Sequence, residues 1–133
     1  MSERKQNKKI DKRAPVIVGV GDLVDRSKED GLNPQELLAK ACEHAIQDSG
    51  IKELNKHIDY VGVVRFTVDF LTATNQSNFQ YSNFPRTLAN KLNVSAKNEV
   101  YAPMGGNSPQ VLLEDALVKI SAGETDCALL SGG

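Results

Sequence analysis

Residues Met104–Gly133 read MGGNSPQVLLEDALVKISAGETDCALLSGG, and the fold turns on this passage. Glycine, asparagine and serine in 105–108 make a turn, and Pro109 is suited to the first position of the helix that follows. That helix is expected from about Ser108 to Ala122, with Ser108 as its cap. A Gly-Glu-Thr-Asp turn at 123–126 stops it, and Ala128–Leu130 then centres a short apolar strand. The turn gathers backbone N–H groups, free of side-chain bulk, at the mouth of an apolar helix, where partial positive charge collects.

The helix itself is unusual. At about 100° per residue, Leu112, Leu113, Ala116, Leu117 and Ile120 fill one broad arc, while Val111 and Val118 point elsewhere. A helix apolar on two faces expects cover from two sides. Nothing else in the 133 residues is patterned to supply the second layer, so a missing half or a partner subunit is expected.

Working back toward the N-terminus, Glu99–Ala102 reads as a strand and Pro85–Leu92 as a short helix with Leu88, Ala89 and Leu92 inward. Residues 67–82 are polar and irregular, the pattern of a long loop or flap. Ile58–Phe66 is a strand centred on Val61, Val63 and Val64. Asn33, Pro34 and Glu36 form the opening of a capping box, so 34–49 is an amphipathic helix. Its expected inward face is Leu37, Leu38, Ala41, Cys42 and Ala45, and Gly50 is its terminator. Val16, Ile17, Val18 and Val20 form a β-branched run, expected to be a first strand buried on both faces, and 22–32 a loop. The order β-α-β-α-β-α-β implies a mostly parallel sheet with helices on both faces.

Composition narrows the functional classes. Forty per cent apolar and 25% charged residues suit one soluble domain with a real core. No run of eighteen apolar residues suggests a membrane span, and no apolar segment near the start suggests a secretory signal. Cys42 and Cys127 lie far apart in apolar segments and read as buried thiols of a reducing, cytoplasmic compartment. Seven aromatics and no tryptophan speak against nucleic-acid stacking. The net charge of −1 conceals a basic stretch, 1–13, with six Lys or Arg against two acids. It reads as a solvated, disordered tail.

With these elements in order, residues 14–133 resemble the N-terminal half of the thiolase superfamily, the acetyl-CoA acetyltransferase-like proteins. Ile120–Ser121–Ala122–Gly123–Glu124–Thr125–Asp126 and Leu129–Leu130–Ser131–Gly132–Gly133 are similar to the tail that follows the family's nucleophile helix. The opening Pro15–Val16–Ile17–Val18–Gly19–Val20–Gly21 and the helix with Glu36–Leu37–Leu38–Ala39–Lys40–Ala41 and its Asp48–Ser49–Gly50 end resemble the family's first strand and helix. The resemblance implies a three-layer α/β fold and acyl transfer from a coenzyme A thioester, used as substrate with no resident cofactor. It implies homo-oligomers that pair through an edge strand, here Glu99–Ala102. It also implies a chain that continues past Gly133 to supply the catalytic base and acid.

One departure is decisive. Counting back from the Ile-x-x-Gly end, Gly106 stands where the family keeps its nucleophilic cysteine. Thiolase chemistry needs a thiolate at the helix mouth, and glycine has nothing to acylate. Cys42 lies within another helix, and Cys127 starts a strand. Ser108 as nucleophile would need a base, and His44 and His57 lie on or before other elements. No catalytic residue is therefore assigned, and the chain alone is expected to be inactive. Gly105, Gly106, Asn107 and Ser108 are the expected walls of an acyl-thioester pocket, with non-catalytic lipid binding or assembly as the alternative. Gly19-Val20-Gly21 lacks the third glycine of a dinucleotide turn. Cys42 and His44 diverge by about 200° on their helix and cannot share a metal. Asp48, Glu53 and Asp59 read as scattered surface acids.

Overall fold

The computed structural model describes residues 11–27, 31–67 and 83–133. Residues 1–10 of the expected tail and 68–82 of the expected flap lie outside them. In chain order the elements are α1 (Pro34–Asp48), a single 3-10 turn (Leu54–Lys56), β1 (Tyr60–Val64), α2 (Phe84–Lys91), β2 (Asn98–Ala102), α3 (Ser108–Ala122) and β3 (Ala128–Ser131).

The three strands form a parallel sheet in the order β2-β1-β3. β1 lies in the middle, and Tyr60, Val61 and Val63 are wholly buried. Alternate residues of a strand face opposite ways, and here they meet different layers. Val61 and Val63 join Leu38, Cys42, Phe84, Leu88 and Leu129 in the main core, so α1 and α2 cover that face. Gly62 faces α3: a Cβ at this position would fall 3.1 Å from Leu112 and 3.0 Å from Leu130. A side chain here would press on the ends of Leu112 and Leu130, so glycine suits the close seating of α3 on the central strand. The result is a three-layer α/β sandwich.

Local signals act as expected at both ends of α1 and at the C-terminal end of α3. Asn33 accepts from the Glu36 N–H at 2.9 Å, and Glu36 returns the bond at 3.1 Å, completing the capping box of α1. Gly50 and Gly123 take φ of 65° and 75° just past α1 and α3. The buried face of α1 is Gln35, Leu38, Ala39 and Cys42, rotated slightly from the expected arc. Gln35 is fully buried, and neither of its amide atoms has a partner among the described residues.

Two polar ties align the strands and seat the helix on them. The Asp59 backbone N–H donates to Cys127 O, and its carbonyl accepts from Lys97 N and Asn98 N. Its carboxylate accepts from Asp126 N at 3.2 Å and Cys127 N at 3.3 Å. Asp59 is therefore 8% exposed and structural, which corrects its reading as a surface acid. Asp48 is also engaged, accepting from Val20 N at 2.9 Å, whereas Glu53 does pair with Lys56 in solvent. The second tie is Tyr60, whose hydroxyl donates to Asp115 of α3 at 2.7 Å, while Lys119 donates to the other carboxylate oxygen at 2.8 Å.

The expected first strand is the main difference from the sequence pattern. Residues 15–27 carry no regular structure, and Val16, Ile17 and Val20 are 75%, 77% and 68% exposed. A strand exists only against a partner edge. This run instead lies along α1, close enough that a Cβ at Gly21 would fall 2.3 Å from Ala41 O.

Asp59→Ala is expected to lose roughly 1–3 kcal/mol of unfolding free energy, read from the urea midpoint, because two N–H groups at the start of β3 lose their acceptor. Burial, together with the hydrogen bond to Asp115, pushes the Tyr60 hydroxyl well above its ordinary value. Because the folded-state value is the higher one, this contribution is complete below the ordinary tyrosine range and fades as pH rises through and beyond it. Alkaline titration followed by circular dichroism should show a steep loss of structure that Tyr60→Phe flattens.

Candidate functional site

In open parallel sheets, ligands bind beyond the carboxyl ends of the strands. Here those ends present Arg65–Phe66 after β1, Pro103–Asn107 after β2 and Gly132–Gly133 after β3. The glycine turn is thus placed at the carboxyl edge of the sheet, leading directly into α3.

Its geometry is set by a few bonds. The Ser108 N–H donates to Gly105 O at 3.0 Å, and Val111 N donates to Asn107 O at 3.1 Å. The Ser108 hydroxyl, 4% exposed, donates to Pro103 O at 2.5 Å. The cap of α3 is therefore Asn107, whose side chain makes no capping bond. Ser108 is the first helical residue, and its hydroxyl is committed backwards, which corrects its assignment as the cap. This bond also removes Ser108 from nucleophilic duty, since its proton is already given to a carbonyl. Gly105, Gly106 and Asn107 remain exposed around the turn. A Cβ built on Gly106 would meet nothing within 4 Å, whereas one on Gly105 would lie 3.2–3.3 Å from Asn107 and Ser108.

The other face of the sheet edge carries an aromatic stack that the sequence pattern did not reveal. Phe66 and Phe84 lie 4.9 Å apart between ring centres, and Phe84 and Tyr101 5.9 Å. The Arg65 guanidinium sits 4.9 Å above the Tyr101 ring. Arg65 and Phe66 follow β1, Phe84 opens α2 and Tyr101 lies in β2, and the parallel register of Val63 with Tyr101 brings them together.

The remaining candidate side chains are dispersed. Cys42 is buried within α1, and burial pushes its thiol up to about 11. Cys127 is half-buried, with its thiol also raised, chiefly by burial. His44 is tied to Asp22 O at 3.0 Å, and His57 follows the 3-10 turn. Among the described residues no three His, Cys, Asp or Glu side chains come together as a metal site, and no helix is long and apolar enough to cross a membrane.

A parallel sheet between two helical layers, with a glycine turn at its carboxyl edge opening onto a buried helix, is a thiolase-like α/β fold. Among solved structures the chain is similar to a monomeric SCP2-thiolase-like protein type 1 from Mycobacterium smegmatis, at 33% identity and a TM-score of 0.72. The match covers 92% of this chain and 24% of that one, so the chain spans about a quarter of its neighbour's length. No protein-family model and no curated protein matches the sequence.

Gly106→Cys tests the geometry of the helix mouth. The open space around this position predicts stability within about 0.5 kcal/mol of the parent. The new thiol should react with iodoacetamide with a pH midpoint below the ordinary cysteine value of about 8.5, while Cys42 stays unreactive.

Proposed function

We propose that this chain is the N-terminal part of a thiolase-like acyl-CoA acyltransferase fold that receives an acyl thioester at Gly105–Ser108 without capturing it covalently. The observation that carries this reading is Gly106. The resemblance puts the family's nucleophile at this position, and Gly106 lies at the mouth of α3 with free space where a side chain would be. The similarity to an SCP2-thiolase-like protein supports an acyl-CoA or lipid thioester as the ligand class. In this reading, backbone N–H groups of the turn hydrogen-bond the thioester oxygen, the role such donors play at helix mouths. No residue of the chain then forms an acyl-enzyme.

The apolar residues left exposed along α3 favour a second, compatible reading as an assembly module. Val111 and Val118 on one flank and Leu113 and Leu117 on the other are 37–61% exposed. They suit cover by a C-terminal half or another subunit, and β2, at the sheet edge, suits strand pairing between copies.

Calorimetric titration with acetyl-CoA and longer acyl-CoAs tests the main reading, alongside a thiol assay for released coenzyme A. Binding without release of free coenzyme A is expected, and Gly106→Trp should abolish the binding by filling the space. Thioester cleavage or transfer by the unmodified chain would overturn the assignment of Gly106 as a silent position.

A further inference from the structure

The two outer edges of the sheet differ in chemistry. At β2, Glu99 pairs with Arg86 at 2.7 Å, and Lys97 precedes the strand. Charges of this kind guard an open edge against unwanted pairing. β3 carries none.

The open side of β3 also has unused hydrogen-bonding groups. The Tyr60 N–H donates to Cys127 O, which sets the phase of the parallel ladder. Leu129 then turns its N–H and C=O to β1, and Ala128 and Leu130 turn theirs away. Among the described residues no backbone group meets Ala128 or Leu130 on that side.

The Val16–Val20 run lies across from this edge. Gly19 and Gly21 sit where a side chain would collide with Ala45 O and Ala41 O, and the Val20 N–H is held by Asp48 at 2.9 Å. The run is thereby pinned to α1, with Val16, Ile17, Val18 and Val20 left 45–77% exposed. Between run and strand is a cavity of about 50 Å³. Val18 and Gly19 line one side of it and Ala128 and Leu129 the other, with Ala45 and Ile46 from α1. For scale, one water takes up about 30 Å³ of liquid, so the cavity suits one small apolar side chain.

The extent of the surface decides what fits. Four part-exposed aliphatic side chains amount to roughly a few hundred Å², the size at which an exposed patch marks an interaction site. That falls short of the ~800 Å² each partner contributes when two folded proteins form a stable complex. A single extended segment matches it better. Main-chain bonds along an edge give such a segment its affinity, and a pocket for one side chain gives selectivity.

We propose that the groove between β3 and Val16–Val20 binds an extended, uncharged peptide segment as an added strand. The segment's backbone pairs with Ala128 and Leu130, and one small apolar side chain fills the cavity. Its other apolar side chains cover Val16, Ile17 and Val20. Neither wall carries a charge, which sets the preference for an apolar segment. The groove shares no residue with Gly105–Ser108, so failure at either place leaves the other standing.

The test is amide hydrogen exchange of the full chain, followed by NMR, with the peptide acetyl-Gln-Thr-Val-Thr-Val-Thr-Gln-amide. A control peptide is N-methylated at its three central residues, so it keeps the side chains and loses the donors. At saturation, exchange at Ala128 and Leu130 should slow by about tenfold or more, while Leu129, already bonded to β1, changes by less than about twofold. The methylated peptide should produce no such protection. Val18→Lys, outside every helix and strand, should keep the amide spectrum of the fold and weaken the peptide by about fivefold. Absence of saturable protection, equal protection by the methylated peptide, or unchanged affinity in Val18→Lys would each overturn the proposal. Protection of the same two amides that grows with protein concentration alone would assign the edge to a second copy and overturn it as well.

Discussion

Asp59 stands at the entrance to the central strand, where three segments of chain meet. Its N–H and carboxylate hold the start of β3, and its carbonyl holds the start of β2. The register of both ladders follows from these contacts, because Tyr60 then faces Asn98 on one side and Ala128 on the other. With the register fixed, Val61 and Val63 must face α1 and α2, and Gly62 must face α3. A carboxylate with backbone donors on both oxygens is a stiff, charge-assisted joint. The sheet is aligned at this end, so its carboxyl edge is free to carry loops.

At that opposite edge the glycine turn inherits its position from the same alignment. β2 delivers Pro103 to the end of the sheet, and the Ser108 hydroxyl, bonded to Pro103 O, bends the chain into α3. The close approach over Gly62 then seats the helix on β1, and the Tyr60–Asp115 bond fixes its rotation. The exposed turn is thus supported from beneath by buried, fully paired groups. This arrangement suits a loop that offers backbone donors rather than reactive side chains.

Much of this was legible in the sequence because it rests on local chemistry. The capping box of Asn33 and Glu36, the glycines after α1 and α3, and the valine-rich centre of β1 all declare themselves within a few residues. What was hidden depends on partners distant in sequence. Val16–Val20 has strand composition, but composition cannot provide an edge to pair with, and the run lies against α1 in solvent. Asp59 reads as one acid among several until residues 126 and 127 are brought to it. Ser108 looks like a cap because serine before proline commonly is one, yet a nearby carbonyl claims its hydroxyl first. The position of Gly106 was legible only through the family resemblance, since glycine in a turn has no pattern of its own. The aromatic stack under Arg65 carried no sequence signal, because it is assembled from separate elements.

The alignment through Asp59 also sets the order in which the molecule can be built. Asp126 lies sixty-seven residues after Asp59, and among the described residues the central strand has no partner upstream of it. At ribosomal rates of about 5–20 residues per second, β1 waits roughly 3–13 seconds after emerging before its second neighbour exists. Until α2 and β2 emerge in their turn, this apolar strand has both edges bare and depends on α1 for shelter. The helix with the strongest local start signals is the one made first, and the nascent chain therefore carries its own early cover.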